Sequence, residues 1–145
     1  MNGINGLGHL ALKVKDLDIS LDFWRDRVGL PEMHRLKRED GTTWLVYLRI
    51  TDTQFLEIFP GAATDRAPGE EANGVLHLCL TIDDLDAEAA RLAAAGVRIV
   101  SPVKGGLDGN RGAWIHDPHG NRVELMEMHP DCLQYRAIQA LSATS

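Results

Sequence analysis

Gly8-His9-Leu10-Ala11-Leu12-Lys13-Val14-Lys15-Asp16-Leu17-Asp18 returns 68 residues later as Leu76-His77-Leu78-Cys79-Leu80-Thr81-Ile82-Asp83-Asp84-Leu85-Asp86. Histidine falls on histidine, and Asp16-Leu17-Asp18 falls on Asp84-Leu85-Asp86. Further on, Phe55-Leu56-Glu57-Ile58-Phe59 matches Arg122-Val123-Glu124-Leu125-Met126 at an offset of 67. Self-similarity at a near-constant spacing marks a duplicated structural unit.

Each copy opens with a strand. Leu10, Leu12 and Val14 alternate with His9, Ala11 and Lys13, and Leu78, Leu80 and Ile82 alternate with His77, Cys79 and Thr81. Alternate side chains of a strand face opposite ways, so each histidine points away from the apolar face. A helix follows. Leu17, Leu21, Trp24 and Val28 stand at i, i+4, i+7 and i+11, a single helical stripe, with Asp16 or Asp18 as cap and Gly29 and Pro31 as terminators. In the second copy Leu85, Ala89 and Leu92 repeat the stripe and Gly96 closes it. Three more strands complete each copy. They are expected around Met33–Leu36, Thr43–Ile50 and Gln54–Phe59 in the first, and at Val97–Val100, Ala113–His116 and Arg122–Met128 in the second.

The expected fold is therefore α+β: tandem βαβββ modules forming a cupped mixed β-sheet. Residues 1–60 form the first module, 61–73 a linker, 74–129 the second module and 130–145 a C-terminal helix and tail. No apolar run approaches the ~20 residues of a membrane span. Met1-Asn2-Gly3-Ile4 lacks the basic start and apolar core of a signal peptide, so the expectation is a cytoplasmic protein with Cys79 and Cys132 as reduced thiols. A formal net charge of −6 argues against nucleic acid, whose phosphates need a basic face. The expected partner is a small molecule.

On the last strand of each copy, Glu57 lies between Leu56 and Ile58, and Glu124 between Val123 and Leu125. An acid with apolar neighbours on both sides belongs to the opposite face of its strand, the face that carries His9 and His77. Neutral imidazole and carboxylate are ligands for Zn²⁺, Ni²⁺, Fe²⁺ or Mn²⁺. Two readings stay open at this point. The four residues form a divalent-metal site, or they are separate core histidines and solvent-facing acids. Duplication of the whole set keeps the first open against the commoner second.

Around these residues the chain resembles the vicinal oxygen chelate superfamily, the glyoxalase/bleomycin resistance/dioxygenase fold. The resemblance rests on Gly8-His9-Leu10, Phe23-Trp24-Arg25-Asp26-Arg27-Val28-Gly29-Leu30, His77-Leu78-Cys79-Leu80 and Asp117-Pro118-His119-Gly120-Asn121-Arg122-Val123-Glu124-Leu125. It spans roughly residues 6–128. With Glu57 as a fourth acid or imidazole donor, the chain is most similar to bacterial glyoxalase I, a lactoylglutathione lyase. Fosfomycin-modifying and extradiol dioxygenase members use two His and one Glu, and methylmalonyl-CoA epimerases typically place a Gln near Glu57.

The resemblance implies one divalent metal held by His9, Glu57, His77 and Glu124, nickel or zinc ahead of iron or manganese. It implies a metal-dependent lyase or isomerase that moves a proton through a metal-bound enediolate, on a hemithioacetal of glutathione and methylglyoxal. In that scheme Glu124 is the catalytic base, and Glu57 is a ligand and second acid. Lys13 stands near the place of an arginine that holds the glutathione carboxylate, and Lys104 lies in a loop that meets a substrate carboxylate. Tyr47 and Phe59 are the candidate pocket walls. Arg111 belongs to a glycine-rich segment, Gly105-Gly106-Leu107-Asp108-Gly109, read either as a lid or as a mobile hairpin. His116, His119 and His129 are read as surface residues. Family members pair as homodimers. The alternatives are a non-haem Fe(II) dioxygenase of the same fold and a small-molecule binding or resistance protein.

Overall fold

Asp16 ends the first strand and caps the first helix, its carboxylate accepting from the Ile19 N–H at 3.1 Å. The same device recurs in the second half, where Asp84 accepts from Ala87 N at 3.0 Å. The duplicated Asp-Leu-Asp is thus a duplicated strand-to-helix junction. The computed structural model describes residues 3–143. Met1, Asn2, Thr144 and Ser145, at the outer ends of the first module and the tail, lie outside the described residues. The chain divides into two units that meet at Ala67 and Pro68.

The first unit holds β1 (His9–Val14), α1 (Leu17–Leu21), β2 (Glu32–Lys37), β3 (Thr43–Arg49) and β4 (Phe55–Pro60). The second holds β5 (Leu78–Thr81), α2 (Leu85–Ala94), β6 (Ile99–Gly105), β7 (Arg111–His116), β8 (Arg122–Glu127) and α3 (Leu133–Ser142). Among the described residues each unit has one four-stranded mixed sheet, ordered β1-β4-β3-β2 and β5-β8-β7-β6. In both, the first strand runs parallel to the last and the other pairs are antiparallel. First and last strands are therefore neighbours, which brings each histidine beside its glutamate.

One face of each sheet is covered by its helix. Val14, Leu48, Leu56 and Ile58 pack with Leu21 and Trp24 in the first unit, and Ile115, Val123 and Leu125 with Leu85 and Leu92 in the second; all are nearly or fully buried. Burial of this size stabilises each sheet–helix pair by roughly 1.5–3 kcal/mol per large side chain. Gly29 (φ 93°) and Gly96 (φ 81°) end the helices in the left-handed region that side chains avoid.

Three local features differ from the sequence expectation. The first helix does not stay α-helical: after Leu21 it continues as a π-helical turn over Asp22–Arg27, with Val28 N donating to Phe23 O at 2.8 Å. The extra residue per turn lets Phe23 and Trp24 both turn inward. β6 starts two residues later than expected and runs through Pro102 to Gly105. It is an edge strand, and its register shifts between Ser101 and Lys104, which accommodates a residue with no N–H to donate. His119 is buried rather than on the surface. The Asp117 carboxylate accepts from the His119 and Asn121 backbone N–H groups at 3.0 and 2.7 Å, folding the turn inward. His116 and His129 are exposed.

α3 packs differently from the others, with no buried residue of its own. Its start is tied to the β6–β7 turn: Leu133 N donates to Asp108 O at 2.8 Å, and the Gln134 amide donates to the Asp108 carboxylate at 2.8 Å. The buried Asn110 donates to Asp108 and Gln134, and its amide oxygen accepts from His129 N. The Gln134 amide and then the Asn110 N–H hold the Asp108 carboxyl below the usual carboxylate range.

Candidate metal centre

In the first unit Ala11 of β1 and Tyr47 of β3 pair with Glu57 of β4 on either side, and His9 pairs with Phe55. Period-2 alternation then puts His9, Phe55, Glu57 and Tyr47 on the sheet face away from the helix. His9 Nε2 lies 2.9 Å from Glu57 Oε2. The imidazole stacks on Phe55 at 5.1 Å with the planes 21° apart, and Tyr47 stands 5.7 Å from Phe55 on its other side. Phe55, itself backed by Tyr47, thus restricts how the imidazole can turn. Glu57 is buried while His9 is about half exposed, so the pair presents the imidazole outward and the carboxylate beneath it.

The second unit repeats the arrangement with different surroundings. Glu124 of β8 pairs with Cys79 of β5 and Trp114 of β7. His77 stands one residue before β5 begins, whereas His9 lies inside β1. His77 Nε2 is 3.1 Å from Glu124 Oε2, and its ring meets Trp114 edge to face at 4.8 Å. Cys79 is exposed by area, yet the protein mass around its sulfur, and then the Glu124 charge, push the thiol up to about 11. A groove of about 490 Å³ opens beside this pair, bounded by His77, Trp114, Ser101, His116 and Arg122.

The chemistry of these donors suits a divalent ion. Nitrogen and oxygen ligands bind Zn²⁺-like ions at ~2.0–2.2 Å, so two donors at right angles on one ion are ~3 Å apart. The two Nε2–Oε2 separations, 2.9 and 3.1 Å, have that value. It is also the length of an ordinary imidazole–carboxylate hydrogen bond, the form such a pair takes when no ion lies between its donors. Among the described residues no three His, Cys, Asp or Glu side chains are grouped to hold an ion. Within each unit the described donors brought together are two, one His and one Glu.

The other expected site residues fall in different places. Lys13 extends from the His9 face of β1, exposed to solvent. Phe59 shares the Glu57 face of β4, with Trp44 edge-on at 6.4 Å. Lys104 pairs with Gly112 and so lies exposed on the Glu124 face of the second sheet. Arg111 is corrected. It is the first residue of β7, pairs with Glu127 and faces the helix side, where it binds Asp86 at 2.6 Å and Glu127 at 3.3 Å. Of its two readings, lid or hairpin, the glycine-rich segment takes the second: a hairpin turn closed by Gly106 N donating to Asn110 O at 2.8 Å and tied to α3. Two residues near the pairs went unread in the sequence, His34 and Arg122. His34 pairs with Tyr47 across β2 and β3, and its ring stands 6.2 Å from that of Tyr47. Arg122 aligns with Phe55 in the repeat, and that alignment was the available signal.

Residues 6–125 match the family described as the Glyoxalase/Bleomycin resistance protein/Dioxygenase superfamily. The chain is 29% identical to a lactoylglutathione lyase of Pseudomonas aeruginosa, a match covering 82% of this chain and 80% of that protein. It is 27% identical to a mitochondrial methylmalonyl-CoA epimerase of Dictyostelium discoideum, covering 86% of this chain and 80% of that one. The crystal structure of a lactoylglutathione lyase from Agrobacterium tumefaciens superposes with a TM-score of 0.63 at 27% identity, over 87% of this chain and 96% of that one.

Proposed function

The chain belongs to the Glyoxalase/Bleomycin resistance protein/Dioxygenase superfamily, and we propose that it is a metal-dependent isomerase or lyase that moves a proton between adjacent carbons of a small carbonyl substrate. The observation that carries this reading is the duplicated His–Glu pair, His9 with Glu57 and His77 with Glu124, each with its donor atoms ~3 Å apart. Each pair would supply one imidazole and one carboxylate to a divalent ion, nickel or zinc. When bound, it supplies a positive charge that polarises the substrate oxygens.

The remaining work falls to the chain's own groups. The Glu124 carboxylate takes the proton from substrate carbon and returns it to the neighbouring carbon, as a general base and then acid. Glu57 is the anchored partner, buried beneath His9. Tyr47 and Phe59 offer apolar wall, and Lys13 and Lys104 offer cationic ends for a substrate carboxylate. Isomerising a hemithioacetal and inverting a carbon beside a thioester both need a proton removed and returned next to a carbonyl. The lactoylglutathione lyase and the methylmalonyl-CoA epimerase similar to this chain are named for reactions of these kinds. The hemithioacetal of methylglyoxal and glutathione is the first substrate to assay. The family resemblance extends the reading to a homodimer, checked by sedimentation of the metal-loaded protein.

Protein prepared without added metal, then loaded with nickel, zinc, iron or manganese in turn, tests the proposal. Stoichiometric metal and thioester formation are expected, with Glu124→Gln abolishing turnover while keeping much of the metal. Inactivity with every metal would remove this substrate, and full activity of Glu124→Gln would remove the assigned base.

A further inference from the structure

The carbonyl directly before His77 is held by a side chain from the far end of the same unit. Arg122 donates to Leu76 O twice, from Nε at 3.0 Å and from Nη2 at 2.7 Å. Its side chain is only 14% exposed, and its longer contact, 3.8 Å to Glu70, is to a carboxylate that is itself exposed.

The duplication gives this contact a reference. Gly8 precedes His9 as Leu76 precedes His77, and Phe55 occupies the place of Arg122. In the first unit Phe55 donates its backbone N–H to Gly8 O at 3.3 Å, and strand pairing includes the histidine, His9 against Phe55. In the second unit pairing begins one residue later, at Leu78 against Val123, which leaves His77 outside the ladder. The equivalent carbonyl is nonetheless bonded by the equivalent residue, through a guanidinium instead of a backbone amide.

We propose that Arg122 is a positioning residue: it fixes the backbone at Leu76 so that His77 Nε2 stays at bonding distance from Glu124 Oε2. The inference rests on the reading of His77 as a metal ligand. The direction of a Cα–Cβ bond is set by the backbone on either side of it. His77 has a strand on one side only, and Arg122 supplies the missing constraint on the other. A planar guanidinium can aim two N–H groups at one carbonyl, which lysine cannot do. Ordering a ligand before the ion arrives removes a cost that binding would otherwise have to meet. Loss of partners that orient ligands typically costs 10–100-fold in metal affinity.

The test is zinc affinity, by chelator competition, for the parent chain, Arg122→Ala, Arg122→Lys, His77→Ala and the His77→Ala/Arg122→Ala double variant. Urea melts of each accompany it. Arg122→Ala should weaken zinc ~10–100-fold and Arg122→Lys by an intermediate factor. In the His77→Ala background the arginine change should add about twofold or less, because it acts through the lost ligand. Arg122→Gln, which keeps a single donor, replaces the alanine variant if that one does not fold, with an intermediate loss expected. Equal zinc affinity in Arg122→Ala and the parent, with His77→Ala weakened, overturns this inference alone. Additive losses in the double variant do the same. A His77→Ala variant that binds zinc like the parent overturns the site reading and this inference with it.

Discussion

Glu124 and Glu127 stand three residues apart on β8 and face opposite ways, so replacing them should have opposite consequences. Glu127 points to the helix side. Its Oε2 accepts from Leu85 N at 2.8 Å, at the first turn of α2, and its Oε1 accepts from Arg111 at 3.3 Å. Leu85 is fully buried, so water has poor access to its freed N–H once the carboxylate is gone. A hydrogen bond to a charged acceptor contributes ~1.5–3 kcal/mol. Asp84 still caps the helix and Asp86 still pairs with Arg111, so the loss in Glu127→Ala should fall near the lower end, about 2 kcal/mol. With an unfolding entropy of ~2.1 cal/mol/K per residue over 145 residues, that lowers the melting temperature by about 7 °C. Zinc affinity, measured on the folded variant, should stay within about twofold of the parent. Glu124→Gln should do the reverse. The amide keeps the volume of the side chain, so urea unfolding should change by under ~1 kcal/mol while turnover stops and much of the zinc is retained. A Glu127→Ala variant that melts like the parent, or one that stops turnover as Glu124→Gln does, would refute the assignment of the two acids to two faces.

Arg111→Met should leave the substrate KM unchanged and alter stability little, since the guanidinium is solvent-exposed and engaged by Asp86 and Glu127; a several-fold rise in KM would restore it to the substrate site. Asp108 has a depressed carboxyl in the folded chain, so its contribution is present above the ordinary aspartate value and is lost as pH falls through the lower folded one. Protection of the Leu133 amide from hydrogen exchange, relative to the unfolded chain's rate at the same pH, should therefore fall in acid, and Asp108→Ala should show the low protection at neutral pH. The Cys79 thiol, pushed up to about 11, becomes thiolate only as pH rises towards that value. Iodoacetamide should label it at pH 8 roughly a hundred-fold more slowly than a free cysteine, and Glu124→Gln should speed the labelling.

The parts of the molecule that were readable from the sequence are those that repeat every two residues. Alternation alone placed His9 with Glu57, and His77 with Glu124, on faces away from the helices, because a strand gives its side chains no other choice. Contacts that depend on where a strand stops were not readable in this way. Arg111 reads as a loop residue when β7 is begun at Ala113. Once pairing extends to Arg111 against Glu127, parity sends its side chain to the helix side. The π-helical turn at Asp22–Arg27 breaks the 3.6 spacing on which the Leu17–Val28 stripe was read, and no residue in it is diagnostic. His119 follows a proline in a polar turn, a surface pattern. Its burial comes from Asp117 drawing two backbone N–H groups inward, which composition does not reveal. The bond from Arg122 to Leu76 spans 46 residues and has no periodic signature at all.

The two pairs are alike in their donors and unlike in their surroundings, and the difference bears on which acid moves the proton. Glu57 is flanked across the sheet by Ala11 and Tyr47, and His9 above it is stacked on Phe55. With its histidine inside the ladder, this pair is anchored in regular structure, its imidazole half-exposed. Diagonally across the sheet from Glu124 stands Gly112: a side chain there would begin 3.7 Å from Oε1, in van der Waals contact with it. Its histidine lies outside the ladder, beside a groove of about 490 Å³. A base must reach substrate carbon with one oxygen while the other keeps its partner, and that requires open space next to the carboxylate rather than depth. These surroundings support Glu124 as the base and Glu57 as the fixed ligand. They also predict that filling the space with Gly112→Val should lower kcat with zinc affinity retained; loss of zinc with unchanged kcat in the residual holoenzyme would reverse the two roles.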